Sequence, residues 1–233
     1  MNLTAHQPVY LPWLGLFHKI HLTDFFCYFD IAQYQHKDFN NRNLIKTDKG
    51  PIWLSVPVQS KNHFEKKIKD IKIINNGWNK KHFKSILYAY KNAKFFDDYI
   101  IGIEEILIKK EFKYLSDLNL EFIKFGIDIL NIKTKIIKAS DYNFEGKKSA
   151  LVLDMCLKLK ANKYLFGAQG KNYADNNQFI LNKVEPYYQK YNHPIYSQLH
   201  GDFLNNMSFI DLIFNEGPRA RQILLSNNIN ELK

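Results

Sequence analysis

His6 and Asp30 are the two side chains whose types best fit proton transfer: an imidazole that can accept a proton near neutral pH, and a carboxylate that can orient it. Around them stand groups suited to holding a substrate. Gln7, Tyr10 and Trp13 follow the histidine, and Gln33, Asn41, Arg42, Asn43 and Lys46 follow the aspartate. Arginine presents a planar fork to a phosphate or carboxylate, and asparagine offers a donor and an acceptor to a sugar hydroxyl or a base edge. Lys46 adds a second cation. The competing account of this amide-rich run is a turn in which asparagines bond to their own backbone. Far along the chain lies Gly167-Ala168-Gln169-Gly170-Lys171-Asn172-Tyr173-Ala174-Asp175. Glycines three apart after a strand let backbone N–H groups approach a ligand, with Gln169, Lys171, Tyr173 and Asp175 supplying side chains. A plain tight turn is the alternative.

The elements that would position these groups are read from periodicity. Residues 2–5 are a short apolar strand, and Pro8 and Pro12 exclude a helix directly after it. Leu14, Phe17, His18, Ile20 and His21 then repeat at helical spacing, and 25–29 form a buried-strand run ending at Asp30. Strand, rigid polar loop, helix and strand make a βαβ unit. In parallel α/β sheets, ligands sit beyond the carboxyl ends of the strands, where His6, Gln7 and Asp30 fall. The polar run 31–46 reads as a loop, and 52–58 as a strand that Pro57 confines to an edge. A charged link from Lys61 to Lys72 carries Ile68, Ile71, Ile73 and Ile74, which suggest a further short strand.

Helical stripes dominate 78–130, with Gly126 placed to end or break the last helix. His82, on one helix face with Trp78, reads first as a packing residue. A strand at 132–137 precedes Gly146-Lys147-Lys148-Ser149, similar in part to a phosphate loop. The glycine expected five residues upstream is replaced by Asp141, so helix capping accounts for it better. A helix at 150–159, strands at 163–166 and 184–190, and helices at 204–214 and 219–225 complete the chain. The expectation is a single α/β domain over 1–233, with a parallel, Rossmann-like sheet and a mainly helical insertion over 78–130.

Composition bounds the function. In 233 residues, 45% hydrophobic and 15% aromatic content suffice for a substantial core. No apolar run is long enough to span a membrane, and no secretory signal is visible. Cys27 and Cys156 both lie in apolar runs and read as buried free thiols, and no His, Cys and carboxylate cluster has metal-ligand spacing. A cytoplasmic protein without a metal is expected. Thirty-three basic against 23 acidic residues give a net charge of +10, which leaves nucleic acid open as a partner. Only Arg42, Arg219 and Arg221 are arginines, so a solvated lysine surface explains most of that charge.

One set of residues spans the chain: His6-Gln7-Pro8-Val9-Tyr10-Leu11-Pro12-Trp13-Leu14-Gly15, Asp24, Asp30, Gln33-Tyr34, Asn41-Arg42-Asn43-Leu44-Ile45-Lys46 and Val56-Pro57-Val58. It continues through Tyr164-Leu165, Gly167, Gly170, His193-Pro194-Ile195-Tyr196-Ser197-Gln198, Ser208, Asp211-Leu212 and Asn215-Glu216-Gly217-Pro218. In these residues the chain resembles the WbqC-like family of bacterial surface-polysaccharide gene clusters. The resemblance implies a role in O-antigen or other glycan assembly, as a transferase moving glycine or another acyl group to an amino sugar. The N-terminal unit also looks like the opening of nucleotidylyltransferases, in which two histidines flank a glycine. With Gly15 on that glycine, Trp13 and Leu16 occupy the histidine positions, and neither can hold phosphate.

Three functions follow as expectations. The first is acyl or aminoacyl transfer to a nucleotide-linked amino sugar, with His6 as general base oriented by Asp30, Arg42 and Lys46 on the pyrophosphate, and the 167–175 loop beside the acyl donor, for which an aminoacyl-tRNA is one candidate. The second is nucleotidyl transfer with altered phosphate ligands. The third is a non-catalytic module binding RNA or a protein partner. No cofactor can be named.

Overall fold

Alternation with period two runs through the central strands of the computed structural model, which describes residues 1–59 and 65–232. In β2 (Phe25–Tyr28), Phe26 and Tyr28 enter one apolar cluster, while Phe25 and Cys27 enter another on the opposite face. A sheet buried on both faces must be covered by helices on both, and that requirement sets the architecture. Five strands pair in parallel: β1 (Asn2–His6), β2, β5 (Lys135–Lys138), β6 (Lys163–Phe166) and β7 (Glu185–Tyr188), in the spatial order β5-β2-β1-β6-β7. Leu3 stands opposite Phe25 on one side and Tyr164 on the other. Numbering only the sheet strands, the order is 3-2-1-4-5, the doubly wound arrangement that reverses direction between its first and fourth strands. The Rossmann-like α/β class expected from the sequence is the observed one.

One face is covered by α1 (Leu14–His21), α4 (Leu115–Ile129), α7 (Phe209–Glu216) and α8 (Ala220–Leu225). The other carries α5 (Ser149–Lys158) and α6 (Asn176–Leu181). Between β2 and β5 the chain inserts an antiparallel hairpin, β3 (Arg42–Thr47) with β4 (Gly50–Ser55). The helices α2 (Trp78–Tyr90) and α3 (Phe96–Glu104), a short π turn and α4 follow it. Among the described residues, no helix is long and apolar enough to cross a membrane. Both cysteines are buried and free.

Several sequence expectations are corrected. Residues 42–46, expected within the polar loop 31–46, belong to a strand, because Asn43 and Ile45 turn inward at period two and are fully buried. The expected short strand around Ile68–Ile74 is a 3-10 turn at Ile68–Asp70 followed by isolated bridges. Ile68 and Ile71, both fully buried, are three apart and match that turn rather than a pleat. The first residues of the charged link expected from Lys61 lie outside the described residues. Gly126 does not end α4 but sits within it, where a Cβ would fall 2.3 Å from the Phe17 ring. Ser149 does not cap α5: its hydroxyl accepts from the Asp175 N–H at 2.8 Å. The helix expected from 204 begins only at Phe209, because Asn206 lies at φ 61, outside helical space.

The turn after β1 is held from outside. Asn40 Nδ2 donates to Pro8 O at 2.9 Å, Asn43 Nδ2 to Leu11 O at 2.6 Å, and Phe209 N to Pro12 O at 2.8 Å. Tyr10 is fully buried, with its hydroxyl 2.9 Å from His82 Nδ1 and its ring edge-on to Phe122. Burial lowers the His82 pKa to about 4. The folded value lies below the unfolded one, so the unfolded chain takes up the proton first as pH falls through 6.5 toward 4. Stability is therefore full above 6.5 and is lost across that window. Replacing His82 with Gln is expected to reduce the loss of urea stability between pH 7 and 4 by roughly 3 kcal/mol.

Candidate active site

A cavity of about 620 Å³ opens where the sheet reverses, between the carboxyl ends of β1 and β6. This is the crevice in which doubly wound folds place their ligands. Ala5, His6 and Gln7 form one edge, and Gly167, Gln169 and Gly170 the other. Trp13, at the cap of the first helix, and Gly15, Leu16 and Lys19 within it contribute a wall, Lys148, Leu151, Val152 and Met155 another, and Phe29, Ala32, Tyr164, Ala168, Tyr173 and Gln189 also line the cavity. The lining is largely apolar with few convergent polar groups, the usual character of a small-molecule site.

His6 reaches the cavity in a defined state. Its Nδ1 lies 2.8 Å from Gln7 O, a carbonyl that can only accept, so Nδ1 carries the hydrogen and Nε2 keeps its lone pair. The ring meets Trp13 edge-on at 5.4 Å. Burial first, and the charge of Lys19 second, lower its pKa to about 4, so it is neutral at pH 7. Lys19, only 4% exposed, donates to Ala5 O at 2.9 Å, and burial pulls its pKa down to about 7. Gln189 Nε2 donates to Gly15 O at 2.7 Å, tying the end of β7 to α1.

Seven of the residues nominated from sequence line this cavity: His6, Gln7, Trp13, Gly167, Gln169, Gly170 and Tyr173. The others lie elsewhere. Asp30 does not orient His6: its carboxylate accepts from Ser140 N at 2.9 Å and Ser140 Oγ at 2.6 Å, fixing the turn after β5. Tyr10 and Asn43 are buried in the support of the turn. Asn41 Nδ2 donates to Val56 O at 2.8 Å, and Gln33 bridges to Lys67. Arg42 does not face His6 across the cavity. Its guanidinium lies 4.3 Å over the Trp53 ring and donates to Lys37 O, beside a separate surface depression. Lys46 is 2% exposed and donates to Gln198 Oε1 at 3.2 Å, Gly201 O at 3.3 Å and Asp202 O at 2.5 Å, so its charge is spent on the 198–202 loop. Asp175 is the N-cap of α6, accepting from Gln178 N.

Among the lining residues that the sequence reading did not nominate, Lys19 is the one that brings a nearly fully buried amine. Its spacing held the signal: Leu16 and Lys19 are three apart and Gly15 and Lys19 four apart, so all three share one face of α1. Within a basic chain, nothing in the sequence separates this lysine from a solvated one.

A doubly wound α/β protein with a ligand-sized crevice at its switch point is the class that fold and site define. The chain belongs to the WbqC-like protein family, whose model matches residues 7–223. It is similar to a Mycobacterium tuberculosis protein named as the uncharacterized protein Rv1507c, with 31% identity over 219 residues, covering 94% of this chain and 95% of that one. No solved structure matches the chain.

The two glycines of the 167–170 turn differ in what holds them. A Cβ at Gly170 would fall 2.4 Å from Phe166 Cβ, whereas one at Gly167 would meet nothing nearer than Lys19 Nζ at 3.8 Å. Gly170→Ala is expected to cost about 1–3 kcal/mol by overpacking, and Gly167→Ala to leave stability within about 0.5 kcal/mol of the parent. Urea unfolding of the two variants checks both values.

Proposed function

We propose that the chain is a transferase of surface-glycan assembly, moving an acyl or aminoacyl group, with glycine the smallest candidate, onto the amine of a nucleotide-linked amino sugar bound in the crevice. The observation that carries this reading is the cavity between β1 and β6 with the free Nε2 of a neutral His6 at its edge. The switch point of a doubly wound sheet suits a nucleotide, and the apolar walls exclude water that would otherwise hydrolyse an activated acyl group.

The chemistry asks for one proton acceptor. The sugar nitrogen attacks the acyl carbonyl carbon with its lone pair. The bond from that carbon to the donor's oxygen or sulfur then breaks with its electrons, and the nitrogen proton goes to His6 Nε2. The Nδ1 bond to Gln7 O holds the ring in the accepting tautomer, the part the sequence reading gave to Asp30. With a pKa of about 4 the free imidazole is a weak base, so a bound anion beside Lys19, whose charge helps depress it, would bring it closer to its task. Two buried thiols and a nucleotide-linked substrate fit a reaction in the cytoplasm.

Nucleotidyl transfer would use the same crevice but would need phosphate ligands other than Trp13 and Leu16. The test is incubation of the purified chain with a panel of nucleotide-linked amino sugars and acyl-thioester or aminoacyl donors, with mass spectrometry of the sugar product. N-acylation is expected, and His6→Ala is expected to lower kcat about 100-fold with the fold intact by circular dichroism. Full turnover in that variant removes His6 from the mechanism. Transfer of a nucleotidyl group instead of an acyl group overturns the reading.

A further inference from the structure

Lys19 and Lys46 are both almost fully buried, yet their surroundings differ in kind. Lys46 Nζ donates to three protein oxygens, one for each N–H. Among the described residues, Lys19 Nζ donates to Ala5 O alone. Among the described residues no carboxylate forms an ion pair with it. A buried ammonium is ordinarily paired, because removing an unpaired charge from water is costly. Two of its three N–H groups thus lack an acceptor among the described residues, and the amine lines the cavity.

The cavity's charge points the same way. Its lining includes Lys19 and Lys148 and no aspartate or glutamate. A concave apolar site with charge of one sign concentrates ions of the other. The wall opposite Lys19 has an opening that neither backbone nor packing demands. Gly167 has φ −70, a value any residue adopts, and a Cβ there would meet only Lys19 Nζ, at 3.8 Å. A glycine at this position keeps clear the space beside the amine that a long side chain would enter.

We propose that Lys19, uncovered by Gly167, is an oxyanion subsite on the floor of the crevice, taking a phosphate or a carboxylate of the bound ligand. The assignment rests on the crevice being a ligand site and names the group that anchors the ligand there. It also reassigns the anion-holding role from Arg42 and Lys46, whose side chains are engaged elsewhere. An oxyanion on Lys19 keeps the ammonium protonated and offsets the charge that helps depress His6, linking ligand anchoring to the basicity of the imidazole.

The experiment is isothermal titration of the full chain, as wild type, Lys19→Met and Gly167→Leu, with inorganic pyrophosphate, glycine, UDP and uridine, each variant's fold being checked by circular dichroism. Wild type is expected to bind pyrophosphate and UDP if phosphate is the anchored group, or glycine if it is a carboxylate. In both variants the Kd should rise about tenfold or more, the scale of losing a charge-assisted hydrogen bond. Gly167→Leu tests the same subsite without removing the amine, so a folding defect in Lys19→Met does not decide the matter. Oxyanion affinity within about twofold of wild type in a folded variant overturns the subsite. So does wild type that binds no oxyanion at millimolar concentration. Uridine separates the two readings: if it binds while the oxyanions do not, the subsite falls and the crevice stands as a ligand site, whereas if nothing binds, both fall.

Discussion

Four carbonyls of the proline-bearing turn after β1 must find donors inside the protein, and the rest of the site depends on that requirement. Pro8, Tyr10, Leu11 and Pro12 are buried, and Leu11 is held at φ 44, a region a leucine rarely enters. Their carbonyls receive the amides of Asn40 and Asn43 and the N–H of Phe209. Leaving any of them unpaired would cost about 1–3 kcal/mol. The hairpin insertion and the C-terminal helices are therefore bonded to one short turn, and that turn sets where Trp13 and α1 begin. The position of Lys19 and the width of the crevice follow from it.

This arrangement gives the insertion between β2 and β5 a structural role. Its polar residues are polar because they face carbonyls, not a ligand: Asn119 donates to Asn40 O, and Asn40 in turn to Pro8 O. The Lys46 cage and the Asp211 network, in which Tyr90, Tyr196 and Gln198 all donate to one buried carboxylate, fasten the hairpin to the C-terminal segment. Burial pushes the Asp211 carboxyl above the usual carboxylate range, and the three donors oppose that shift. Charge and amides are spent on the scaffold, while the crevice keeps two lysines, a neutral imidazole and apolar walls.

The site divides by chain distance. Its β1 edge and α1 wall come from the first nineteen residues, and its β6 edge from 167–173, brought alongside because Asn2 and Leu3 pair with Lys163 and Tyr164. Parallel pairing sends both strands toward the same end, so both following loops open on one cavity. The WbqC-like family model, spanning 7–223, takes in the whole β6 edge and the β1 edge from Gln7 onward.

By itself the sequence determined the five sheet strands, most of the helices and the parallel, Rossmann-like class, whereas the β3 strand, the turn at Ile68–Asp70 and the strand order came from the fold. Apolar periodicity marks buried strands and amphipathic helices whatever they pack against. It also identified the two loops at strand ends, because prolines and glycines act on the local backbone. Tertiary structure alone decided what each polar side chain does. Asn43, Lys46 and Arg42 look as suited to a ligand as His6 does, until hydrogen bonds across 32 and 152 residues show where Asn43 and Lys46 are spent. Lys19 looks like any surface lysine until burial leaves its ammonium in a cavity with one acceptor. Local patterns report which backbone forms, but a side chain's partner is chosen by the fold, and that choice separates a ligand group from a brace.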